Sequence, residues 1–235
     1  DALSESGYGS GSLHYRTLCR CSNYFKGYIS MPDIKPFKLF SSIAVPIDIP
    51  NCDTDQIIPG RFLRKPNDDP NYHRYLFHDL RFNVDGTEKD FSFNSEQFKN
   101  GKIFVADINW GCGSSRENAV TALKSNGIRS IIAPSFGDIH YNNCIKNGLL
   151  PIQLSQAECS LLRRQLHQNS GGEITIDLDT QSLTGPDQAG YNFEINSFDK
   201  LRLLNGLDDI SLTMEYDDKI KNFMTAYKNR HSWAS

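Results

Sequence analysis

The strongest constraint in this chain is an alternation at its centre. Ile103–Ala106, Arg129–Ala133 and Leu149–Leu154 are short apolar runs of strand length. Interleaved with them, Ser114–Asn126, Phe136–Asn147 and Ser155–His167 carry apolar residues at helical spacing. Gly127 and Gly148 follow the first two of these, where glycine accepts the backbone angles that end a helix. Ser155 with Glu158 forms a capping box at the start of the third. Strand and helix repeated three times predict parallel strands joined by helical crossovers.

The flanks add strands of another kind. Phe37–Val45 reads as a strand, Asp48–Asp55 as a loop, and Gln56–Leu63 as an apolar segment broken by Pro59 and Gly60. Arg64–Asp69 reads as a polar loop and Tyr72–Leu80 as a helix. Glu173–Leu178 and Tyr191–Ile195 alternate apolar and polar residues about a turn at Gly185–Gly190, which predicts antiparallel strands. Phe198–Leu204 and Lys219–Tyr227 read as closing helices. The expected fold class is α/β with a mixed, partly parallel sheet.

Residues 1–30 have a different texture. Gly7–Ser12 is rich in glycine and serine, and no acidic residue falls between Glu5 and Asp33. A disordered N-terminal extension over 1–30 is expected, ahead of one domain over 31–235. An organelle transit peptide is the competing reading of the extension.

Charge and cysteine usage exclude several classes. The net charge of −3 and the sparse arginines of Arg74–Arg81 do not make a nucleic-acid surface. No apolar run is long enough to cross a bilayer, so a soluble protein is expected. The cysteine usage points to a cytosolic or matrix compartment, with the cytoplasm as the expected location. The six cysteines are scattered, and none is paired at the two-residue gap of zinc or iron–sulfur ligands. Reduced thiols are expected, with no metal held by this chain.

The segment with most chemistry is Asn109-Trp110-Gly111-Cys112-Gly113-Ser114-Ser115-Arg116-Glu117-Asn118. It follows a strand and opens a helix, where backbone N–H groups and the helix dipole favour an anion. Ser114 and Ser115 add hydroxyls, and Arg116 adds a planar cation that can grip a carboxylate. A plain N-cap role for the serine, with Glu117 as partner, is the simpler reading. The lysine of a phosphate-binding loop and the third glycine of a dinucleotide fingerprint are both missing. The glycine of a hydrolase elbow is missing too. By chemistry alone the turn is an anion-binding helix start.

Four motifs in register carry a resemblance. Gly111-Cys112-Gly113-Ser114-Ser115-Arg116-Glu117 resembles the signature of the aconitase superfamily, in the form found in isopropylmalate isomerase small subunits. Asp53-Thr54-Asp55-Gln56-Ile57-Ile58-Pro59 resembles the family's N-terminal motif. Ile132–Phe136 with Asp138-Ile139 and Asn142-Asn143, and Asn205–Asp208 with Ile210 and Leu212-Thr213, match further motifs in the same order. The resemblance covers roughly residues 37–225 and leaves the leader outside.

The resemblance implies a swivelling β/β/α domain like the last domain of aconitase. It implies a heterodimer with a large subunit that carries a 4Fe-4S cluster. It implies hydro-lyase chemistry, the isomerisation of 2-isopropylmalate to 3-isopropylmalate in leucine biosynthesis. By the same resemblance Ser114 is the catalytic base, Ser115 and Arg116 hold substrate, and Asp55 faces the site. Asp55 also reads as an N-cap for the segment after it. Arg64, ahead of Arg61, is the expected substrate arginine of the following loop. Asn118 stands where many relatives have histidine, so no proton transfer is expected there. Cys112 reads as a packing residue of the motif, or as a reactive thiol near a helix start. His73, His78 and His140 read as surface or structural. A related dehydratase, of the homoaconitase or citraconate type, is the alternative. A non-catalytic relative would instead keep Ser114 blocked.

Overall fold

The computed structural model describes residues 34–231 except Glu215, together with Trp233, and the expected extension over 1–30 lies outside the described residues. Among the described residues, seven strands form one sheet: β1 Leu39–Ile47, β2 Ile103–Ala106, β3 Ser130–Ala133, β4 Leu150–Gln153, β5 Glu173–Asp177, β6 Ser182–Thr184 and β7 Gly190–Asn192. Their order is β4-β3-β2-β1-β5-β6-β7. The four strands β1 to β4 run parallel, and β5, β6 and β7 extend the sheet antiparallel from β1. Strand β1 joins the two halves along its own length. Ala44–Ile47 pairs with β2 and Leu39–Ile43 pairs with β5.

Helices cover both faces. They are α1 Thr54–Ile57, α2 His78–Arg81, α3 Glu117–Ser125, α4 Asp138–Lys146, α5 Gln156–Gln168, α6 Ser197–Asn205, α7 Asp209–Met214 and α8 Asp217–Arg230. Every residue of β2 and β3 is buried, as expected of central strands covered on both sides. Phe104 and Ala106 of β2 pack with Ala119, Val120 and Leu123 of α3 in one core. Ile103 and Val105 point to the other core, with Cys159, Leu162 and Leu166 of α5. This is the mixed, partly parallel α/β sheet that the strand–helix repeat predicts. Strands β2 to β4 fall where expected, and the Ser155–Glu158 capping box starts α5.

Several expectations change. The helix expected from Ser114 begins only at Glu117, because Gly113 has a positive φ of 90° and Arg116 is extended. The helix expected over Tyr72–Leu80 is a 3-10 turn and the short α2, separated at Phe77. The Phe77 N–H bonds the Ile57 carbonyl at 2.8 Å, and its φ of 51° redirects the chain. Strand β6 and helix α7 were not anticipated. No described helix is long and apolar enough to cross a membrane.

Candidate active site

The Ser114 turn leaves the C-terminal end of β2 and is clamped from two sides. On one side lies the loop after β1. The Gly111 N–H donates to the Cys52 carbonyl at 2.7 Å, and the Thr54 N–H donates to the Cys112 carbonyl at 3.0 Å. The Thr54 hydroxyl, itself buried, donates to the Ser114 carbonyl at 2.9 Å. On the other side lies the loop after β3. The Trp110 N–H donates to the Ser135 carbonyl at 2.9 Å, and the Gly137 N–H donates to the Trp110 carbonyl at 2.8 Å. These parallel bridges continue the sheet's pairing past its strand ends.

Gly111 is forced by space as well as by angle. It has a φ of 69°, and a Cβ there would lie 2.3 Å from the His140 ring. Gly137 is as tightly placed, 2.6 Å from the Gly111 carbonyl by the same measure. The two glycines let the turn and the start of α4 approach until they enclose a cleft of about 190 Å³. Gly111–Ser114 line one wall and Gly137–His140 the other.

Ser114 is exposed and lines this cleft, so the blocked serine expected of a non-catalytic relative is not what the fold presents. Ser115 is exposed beside it. Arg116 is mostly buried, and its Nη1 pairs with Oδ1 of Asp55. The fold therefore brings Ser114, Ser115, Arg116 and Asp55 together. Arg64 is exposed and shares no hydrogen bond or ion pair with the turn among the described residues. Arg61 is held away by Asp79 and lies over the Phe62 ring. Its pull holds the Asp79 carboxyl down to about 2.

Two expectations about caps need correction. Asp53, not Asp55, is the N-cap of α1; its side chain accepts the Gln56 N–H at 2.7 Å in a full capping box. Ser114 is not an N-cap, and Glu117 instead accepts from Asn147 Nδ2 at 3.0 Å. The start of α4 also lines the Ser114 cleft, across from the turn. Gly137 caps α4 without a side-chain hydrogen bond, leaving its first N–H groups without a capping partner.

Two neighbours, His140 and Cys112, take the structural one of their two expected roles. His140 is buried, and neither ring nitrogen has a hydrogen-bond partner. Burial pushes its pKa from 6.5 down to about 4, so the ring is neutral near pH 7. Its spacing of one helical turn from buried Cys144 was the available signal. Cys112 is half-buried; burial and then the Asp53 charge push its thiol up, against an activated thiolate. The Asn118 amide reaches the Tyr72 hydroxyl at 3.3 Å, a structural contact. Among the described residues no group of three or more His, Cys, Asp or Glu side chains could hold a metal ion.

Residues 34–157 match the aconitase C-terminal domain. The 3-isopropylmalate dehydratase small subunit of Leptospira interrogans is 46% identical over 203 residues, 85% of this chain and 98% of that protein. Its counterpart from Paramagnetospirillum magneticum is 43% identical over 201 residues, 85% of this chain and 100% of that one. The chain belongs to the 3-isopropylmalate dehydratase small-subunit family, within the aconitase superfamily. The crystal structure of a 3-isopropylmalate dehydratase chain from Methanocaldococcus jannaschii agrees in fold. It has a TM-score of 0.58 at 28% identity, covering 78% of this chain and 99% of that one. The matched residues include both clamping loops and the Ser114 turn.

Proposed function

We propose that this chain supplies the base and the carboxylate grip of a hydro-lyase that isomerises 2-isopropylmalate to 3-isopropylmalate in leucine biosynthesis. The observation that carries the reading is the exposed Ser114 hydroxyl, in a turn clamped on both sides, opposite the uncapped start of α4. The working enzyme is a cytoplasmic heterodimer with a large subunit. The 4Fe-4S cluster expected of this enzyme class is assigned to that subunit on the resemblance to the aconitase superfamily.

Ser114 takes a proton from the methylene carbon beside a carboxylate. A serine hydroxyl is too weak a base in water, so its alkoxide needs fixed positive potential. The first N–H groups of α4 and the Arg116 guanidinium supply it. Asp138 also lines the cleft and repels a second anion on that side. The substrate carboxylate therefore goes to Arg116 and Ser115. Asp55 occupies only Nη1 of Arg116, leaving its Nε and Nη2 for a carboxylate. The carbanion delocalises into the neighbouring carboxylate, where the same cations stabilise its charge. Loss of the C2 hydroxyl, for which the bound cluster would supply Lewis-acid chemistry, gives the alkene. Water adds back with its hydroxyl on the former methylene carbon and a proton on C2. Arg64, exposed in the loop that follows α1, is the further cation assigned to the substrate.

The test is anaerobic co-expression with the large subunit, followed by the absorbance of the unsaturated intermediate formed from 2-isopropylmalate. Wild type is expected to turn over and Ser114→Ala to lose nearly all activity. Full activity in Ser114→Ala would sink the assignment. Faster turnover of homocitrate- or citraconate-type substrates would move the chain to a related dehydratase.

A further inference from the structure

Arg163 of α5 is buried, and a buried guanidinium must find partners for its donors. It finds three. Nε donates to Asp48 Oδ1 at 2.8 Å, Nη1 to the Ala106 carbonyl at 2.6 Å, and Nη2 to Asp107 Oδ2 at 2.9 Å. Ala106 ends β2, and Asp48 and Asp107 are the first residues beyond β1 and β2. These are adjacent parallel strands whose last paired residues are Ile47 and Ala106. The loop bearing Thr54 and Asp55 leaves the sheet at Asp48, and the turn bearing Ser114 and Arg116 leaves at Asp107. One rigid cation thus spans both points of departure. The free oxygen of Asp48 meets His167 Nε2 at 2.6 Å, and Asp107 Oδ1 accepts the Ile108 N–H at 2.7 Å.

We infer that Arg163 is a positioning residue for the Ser114 reaction: it fixes the two loop exits against each other, and so the separation of Thr54 and Asp55 from Ser114 and Arg116. This rests on the reading of Ser114 as base. A planar fork suits the role because its donors point in fixed directions, toward two carboxylates and one carbonyl at once. A lysine offers a point charge and cannot hold all three in place. Without the cation, two carboxylates face each other at the strand ends, and the loops separate.

The test compares wild type, Arg163→Met, Arg163→Lys and Ser114→Ala in the assembled two-subunit enzyme. Two readouts are used, and the first does not depend on activity. It is amide hydrogen exchange in residues 51–55 and 109–116, with β5 and β6 as the internal control. Arg163→Met is expected to speed exchange in both loops and leave β5 and β6 unchanged. The second readout is kcat per assembled enzyme, with the isotope effect for substrate deuterated at its methylene carbon. Arg163→Met is expected to lower kcat by about tenfold or more and raise the isotope effect, as misplacement slows proton abstraction. Arg163→Lys recovers part of each. A purely structural residue would lower the melting temperature and leave kcat and the isotope effect of assembled enzyme at wild-type values; that result overturns the inference. If Arg163→Met does not assemble, Asp107→Asn is read by the same criteria. Faster loop exchange in Arg163→Met beside a fully active Ser114→Ala would leave the loop clamp standing and remove the serine assignment.

Discussion

The Thr54 hydroxyl donates a 2.9 Å hydrogen bond to the carbonyl oxygen of Ser114, tying the loop after β1 to the turn after β2. Thr54 is buried, so its hydroxyl has no water to turn to. Thr54→Val keeps the shape and removes the donor. It is expected to cost about 1 kcal/mol of stability, the usual net worth of one hydrogen bond. A larger effect is expected on kcat/KM, about tenfold, because the bond holds the residue that carries the base. Thr54→Ser should restore both. Urea unfolding and steady-state kinetics check this, and an unaltered kcat/KM in Thr54→Val would remove Thr54 from the site.

Gly111 carries a sharper constraint. Gly111→Ala meets a φ of 69° and the His140 ring at 2.3 Å. Strain and overlap together are expected to cost about 2–5 kcal/mol. Adding His140→Ala relieves the overlap and leaves the strain, so the double variant should recover part of the loss in urea. No recovery would show that the backbone angle alone excludes alanine.

The sheet was legible where local signals agree with the fold. Period, glycine stops and the Ser155–Glu158 cap placed β2, β3, β4 and α5 because each is decided within a few residues. Phe77 was not legible, since its left-handed backbone answers a hydrogen bond to Ile57 that exists only in the folded chain. Three-residue β6 has too little pattern to show and is defined by its antiparallel neighbours. The site divides the same way. The Ser114 turn stands out because its glycines and hydroxyls are contiguous. Thr54, His140 and the start of α4 reach it from distant sequence, so nothing local to the turn announces them.

The buried His140 makes stability depend on pH. Its folded pKa of about 4 lies below the ordinary 6.5, so the unfolded chain takes up this proton first as pH falls. This penalty is absent above pH 6.5, grows as pH falls towards 4, and is constant below that. Its full size is about 3 kcal/mol, from the displacement of the pKa. His140→Phe should flatten this part of the profile. Urea midpoints measured at neutral pH and near pH 5 test it; equal slopes in the two proteins would remove His140 as the source.

Among the described cysteines, Cys112 should react first with an alkylating reagent. Cys52, Cys144 and Cys159 are buried, and burial pushes all three thiols up, Cys159 to about 12. Cys112 is only partly buried and lines the Ser114 cleft. Its own raised pKa predicts slow modification that speeds with pH. Peptide mapping by mass spectrometry should find Cys112 labelled before the other three, with loss of activity in step and protection by substrate. Labelling of Cys112 without loss of activity would place the substrate elsewhere.

The pairing of Arg116 with Asp55 gives the last prediction. Asp55 engages Nη1, so a carboxylate bound at the other edge would make the guanidinium bridge two anions. Arg116→Lys keeps the charge and loses the fork, and is expected to raise KM about tenfold. Asp55→Asn keeps a weaker partner for Nη1, and should raise KM less while leaving the fold intact. If Asp55 acts by aiming Arg116, the two changes are not additive: in the double variant, Asp55→Asn has little left to remove. A double-mutant cycle on KM measures this directly. Additive effects would mean that Asp55 and Arg116 serve the substrate independently.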